Sequence, residues 1–80
     1  MNITLRPTTI SVENQHVARR LRGKRLALGL SEARVAQTLG VGPELITAYE
    51  RGLVPVPAVH LRQLGDIFDV PVSYFLPPAK

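Results

Sequence analysis

The stretch from Leu39 to Glu44 reads Leu-Gly-Val-Gly-Pro-Glu, with a helical pattern on either side. No other feature constrains the fold as strongly. Upstream, Ser31 is suited to cap a helix whose first turn carries Glu32, because a hydroxyl satisfies an orphan N–H and a negative charge favours that end. Val35, Ala36 and Leu39 form one apolar stripe on that helix. Gly40 ends it, since only glycine takes the left-handed turn without a Cβ penalty. Gly42 then caps a second helix and Pro43 opens it, at the one helical position where a missing N–H costs nothing. Ile46 and Tyr49 turn inward, and Gly52 closes the second helix. The spacing predicts two helices held at a fixed bend.

Two short helices about such a corner make a helix-turn-helix. Ala36 falls where the helices cross and a larger side chain would push them apart, while Ile46 plugs the angle between them. The rest of the chain reads as support for this unit. A first helix is predicted from Glu13 to Leu28, with Val17, Leu21 and Leu28 on its buried face. Its interior Gly23 costs about 1 kcal/mol relative to alanine, and Gly29 stops it. Leu53-Val-Pro-Val-Pro57 is an extended connector, because a residue before proline is pushed out of the α region. Pro57 starts a fourth helix running to about Asp69, which buries Leu61, Leu64, Ile67 and Phe68. Val70-Pro71 breaks it. Val72, Tyr74, Phe75 and Leu76 form a short final turn or helix. The expected architecture is all-α, a compact four-to-five-helix domain over 13–76 with a frayed tail at 77–80. Residues 1–12 precede it as a short strand or a disordered arm.

Composition narrows the function. Cysteine is absent, so disulfides and cysteine metal sites are excluded. No apolar run is long enough to span a bilayer and no secretory leader is evident, so a cytoplasmic protein is expected. The formal net charge of +4 favours a polyanionic partner over an acidic substrate pocket. Half of the 10 lysines and arginines crowd into Arg19, Arg20, Arg22, Lys24 and Arg25. An enzyme is not expected. His16 and His60 are far apart without a third ligand, His60 is expected on the exposed side of helix 4, Asp66 and Asp69 suit solvation and capping, and Ser31 is a cap with no histidine placed beside it. Neither a cofactor nor a metal is called for.

Residues Val17 to Leu76 resemble the phage-repressor-like helix-turn-helix domains of the Cro/cI type, also called the XRE family. The resemblance rests on "RLALGLSEARVAQTLGV" (25–41), "YERG" (49–52) and "DIFDVPVSYFL" (66–76). It implies a small bacterial or phage transcriptional regulator that places its third helix, about 42–51, in the major groove of double-stranded DNA. It also implies a partly buried ion pair between Arg25 and Glu50 that locks helix 3 onto helix 1.

Carried over residue by residue, the DNA-binding set is Ser31, Glu32 and Arg34 on helix 2, and Gly42, Pro43, Glu44, Leu45, Thr47, Ala48 and Arg51 on or beside helix 3. Arg22 and Lys24 on helix 1 complete it. Helix 1 cations span more than a full turn, so several of them face elsewhere. Arg6 is a candidate for a minor groove. The surface departs from the family pattern. It offers neither an amide nor a guanidinium on helix 3, so the common arginine–guanine and asparagine–adenine contacts are unavailable. Glu44 is suited to accept from cytosine N4, Thr47 or Ala48 to meet a thymine methyl, and Arg51 to hold a phosphate. Glu32 stands where a phosphate-binding glutamine is usual. An exposed Leu45 beside Glu44 would equally suit another transcription protein, an adaptor or antirepressor role. A homodimer is expected, formed through 2–12 or Val72–Leu76.

Overall fold

The computed structural model describes residues 12–78, so the readings placed on residues 1–11, Arg6 among them, lie outside it. Four α-helices follow one another: α1 (Val12–Ala27), α2 (Glu32–Leu39), α3 (Pro43–Glu50) and α4 (Ala58–Phe68), closed by a 3-10 turn at Val72–Phe75. No strand occurs among the described residues. The helices pack α2 on α3, α1 on α3, and the closing turn on both α4 and α1.

The helix ends follow from local chemistry. Ser31 Oγ accepts from the Arg34 amide at 3.0 Å, which satisfies one orphan donor of α2. Gly40 takes φ 76°, and its amide and that of Val41 return to Gln37 and Ala36. Gly42 is extended before Pro43 opens α3. Pro57 caps α4 with no side-chain bond. Asp69 stops α4 in the left-handed region at φ 59°, a conformation that glycine takes at less cost.

One core joins all four helices and the turn. Val17 and Leu21 of α1 meet Val35, Ala36 and Leu39 of α2, Ile46 and Tyr49 of α3, Leu61, Leu64 and Phe68 of α4, and Phe75. Leu21, Ile46, Leu64 and Phe75 are wholly buried, each worth about 1.5–3 kcal/mol of transfer free energy. Gly65 is buried where α4 meets the following loop. A Cβ there would lie 2.7 Å from the Val70 carbonyl oxygen, so this helical position accepts only glycine.

Three expectations need correction. Leu28 is not on the buried face of α1: it lies past the last helical residue, in the turn, and is 47 % exposed. Helical periodicity no longer governs a side chain once the backbone leaves the helix. Ile67 is only partly buried, packed against the edge of the core. His60 is not on the outer side of α4. It is half-buried, and its Nδ1 lies 2.8 Å from the Tyr49 hydroxyl, which pulls the ring inward.

Candidate nucleic-acid interface

The bend between α2 and α3 leaves one side of α3 in the core and the other outside. Ile46 and Tyr49 face in, Pro43, Glu44 and Arg51 are exposed, and Gly42, Thr47 and Ala48 are partly exposed. Leu45 is not the exposed leucine its position suggested, because it packs partly against the core.

The bend is fastened by charge as well as by apolar contact. Arg25, at the end of α1, donates from Nε to Glu50 Oε2 at 2.5 Å and from Nη2 to Glu50 Oε1 at 2.9 Å. Its remaining nitrogen, Nη1, donates to the Leu30 carbonyl at 2.7 Å. Both residues are buried, at 7 % and 9 % exposure. A planar guanidinium matches a carboxylate in this bidentate way, and a lysine does not. One side chain thus ties α1 to the end of α3 and to the loop entering α2.

Glu32 extends the network. Its Oε1 accepts from the Thr47 hydroxyl at 2.7 Å, and its Oε2 stands 3.9 Å from Arg25 Nη2. The Thr47 hydrogen bond, then the neighbouring Glu50 side chain and lastly the Arg25 and Arg51 charges, hold the Glu32 carboxyl below the usual carboxylate range against the opposing effect of burial. Thr47 also lies 3.2 Å from the Pro43 carbonyl. The first turn of α2 is therefore bonded across the bend to the middle of α3.

The candidate residues divide into groups. Glu32 and Thr47 are joined by their hydrogen bond, and Arg51 is exposed just past the end of α3. Ser31 and Arg34 are exposed on the first turn of α2. Ser31 keeps its own hydroxyl proton, since its cap bond uses only the oxygen. Glu44 folds its carboxylate over Gly42, where a Cβ would overlap it. Its charge there suits the positive end of α3.

Arg22 and Lys24 are not brought together. Successive helical residues turn about 100°, which sets them about 160° apart around α1. Arg22 is exposed. Lys24 instead joins Arg20 over the Tyr74 ring, with Nζ 5.7 Å and Arg20 Cζ 4.8 Å from its centroid. This clamp of the closing turn was not foreseen, and neither was the Tyr49–His60 pair. An i,i+4 pair of cations is visible in the sequence, but the aromatic ring it covers is 50 residues away and only the fold brings it there.

Among the described residues no group of three or more histidines, aspartates or glutamates could hold a metal ion. No described helix is long and apolar enough to cross a membrane.

Comparison with known proteins agrees with this architecture. A family model described as a helix-turn-helix domain matches residues 16–73. An uncharacterized HTH-type transcriptional regulator of Sinorhizobium medicae is 38 % identical over 64 residues, covering 80 % of this chain and 46 % of the relative. An uncharacterized transcriptional regulator in the ATPase CF(0) region of Rhodospirillum rubrum is 36 % identical over 67 residues, covering 84 % and 62 %. The chain thus spans about half the length of such relatives. Among solved structures, hydroxypropylphosphonic acid epoxidase from S. wedmorenis aligns with a TM-score of 0.77 at 23 % identity, over 85 % of this chain and 36 % of that one. At that identity the likeness concerns the fold alone.

Proposed function

We propose that this chain, which belongs to the helix-turn-helix domain family, regulates transcription by binding double-stranded DNA through α2 and α3. One observation carries the reading: among the described residues nothing buries the outer side of α3, while its inner side is fixed by Ile46, Tyr49 and the Arg25–Glu50 clamp. A rigid helix with a free face can enter a major groove without reorganising.

In this reading Arg51 contacts a phosphate beyond the end of α3. Arg34, Arg22 and the Ser31 hydroxyl contact phosphates on either side. Pro43, Glu44, Thr47 and Ala48 face the base edges, with Gly42 beside them, and Leu45 contributes mainly packing. Glu32 acts through Thr47, and Lys24 serves the closing turn. With few direct contacts to bases, affinity comes mostly from phosphates and groove shape. Two copies supply two half-sites. Phe75 is consumed by the core, so a dimer contact at the tail falls to Leu76 and its neighbours, or else to the segment before α1.

Binding to random-sequence duplex DNA tests the proposal. Arg51→Ala should weaken it severalfold. Glu44→Gln, which removes a repelled charge, should strengthen it or alter its base preference. If neither change moves binding, α3 is not the contact surface. The adaptor role is then the one to pursue.

A further inference from the structure

Thr47 carries the hydroxyl on the outer side of α3, and both oxygens near it accept only: the Glu32 carboxylate at 2.7 Å and the Pro43 carbonyl at 3.2 Å. A hydroxyl has one hydrogen to donate and two lone pairs to offer. Its hydrogen is already committed inside the protein, whichever of the two oxygens holds it. Toward a ligand, Thr47 has lone pairs alone.

The neighbouring groups have the same polarity. Glu44 carries a carboxylate, which accepts hydrogen bonds. Pro43 lacks an N–H, and the side chain of Ala48 is apolar. We infer that the side chains of α3 offer only acceptors to the major groove, and that Glu32, by holding the Thr47 proton, determines which base edge Thr47 can read. This rests on the DNA-binding function proposed above and adds its specificity.

Base edges differ in what they offer. Cytosine shows the N4 amino donor, and adenine shows N6 as a donor beside the N7 acceptor. Guanine presents O6 and N7, and thymine presents O4, all acceptors. Facing Thr47, guanine and thymine would set lone pair against lone pair. Cytosine fits best, because an adenine N7 would stay unmatched near Glu44. Glu32 is thus a specificity-determining residue that need not touch DNA. Its effect is transmitted by the direction of one hydrogen bond.

Selection of bound sequences from a random duplex library, using the full chain, tests this. The wild type should enrich an amino-bearing base, cytosine foremost, over guanine at one position per half-site by roughly fivefold or more, the scale of one hydrogen bond. Glu32→Gln can turn its amide toward the Thr47 oxygen, which occupies one of its lone pairs and leaves the hydroxyl proton to the Pro43 carbonyl or to a base. The preference at that one position should then fall to near parity or shift toward guanine or thymine, the other positions keeping theirs. Thr47→Val, which keeps the shape and loses the hydroxyl, should level the position without shifting it. Thermal melting of each variant reports folding separately. A wild type that enriches guanine or thymine there overturns the inference. So does a preference that survives both substitutions, and in either case DNA binding still stands. Recovery of no duplex at any salt concentration overturns the DNA-binding function and this inference together.

Discussion

Arg25 is the residue on which the geometry of the bend depends most. It is buried with Glu50 and spends its donors on Glu50 and Leu30. Removing one member strands the other charge away from water, which typically costs about 3–5 kcal/mol. Glu50→Ala should therefore lower the thermal midpoint far more than Glu13→Ala, an exposed change on α1. Equal midpoints would mean that the clamp contributes nothing. Glu32 gives a pH signature. Its carboxyl titrates below the ordinary carboxylate range, chiefly because Thr47 donates to it. The unfolded chain therefore takes up this proton at a higher pH than the folded one. The stabilisation is complete above the unfolded value, about pH 4.3, and is lost as pH falls through the lower folded value. Glu32→Gln should flatten the acid limb of stability against pH, measured by urea unfolding. The resemblance to Cro/cI-type domains pointed to the Arg25–Glu50 pair from sequence. The Glu32–Thr47 bond was not legible, because each residue had a plausible role facing solvent and only the crossing of α2 over α3 joins them.

For the helices, two glycines inside helices make opposite predictions. Gly23 in α1 is exposed, and nothing lies within 4 Å of an added Cβ. Gly23→Ala should stabilise by about 0.5–1 kcal/mol through backbone entropy. Gly65→Ala should destabilise, because its Cβ would press on the Val70 carbonyl and part α4 from the closing turn. Chemical denaturation of the two variants should move the midpoint in opposite directions, and a shift of the same sign would refute the packing at Gly65. Sequence reading located α1 to α4 within a residue or two because Ser31, Gly40, Pro43 and Pro57 act locally. It failed at Leu28, where the helix had ended, and was silent on Gly65, whose constraint comes from a loop folding back over it. His60 was misplaced for a similar reason. Its partner Tyr49 lies on another helix, and no local pattern reports it.

Across the molecule, the closing turn decides whether α1 and α4 stay joined. Phe75 is wholly buried against Phe68, with ring centroids 6.1 Å apart. Phe75→Ala should cost about 3–5 kcal/mol, enough to threaten folding of so small a domain. A melting point unchanged by that substitution would show the tail to be dispensable. The same core leaves α3 rigid and open on one side, which is the premise of DNA recognition here. The most direct test is the association constant for duplex DNA measured between about 50 and 200 mM salt. A dimer presenting Arg22, Arg34 and Arg51 twice should give a log–log slope of about −5, near 0.9 per phosphate contact. The loss of affinity across that range is then roughly a thousandfold. Binding that is absent at low salt, or unchanged as salt rises, would contradict phosphate-anchored docking of α2 and α3.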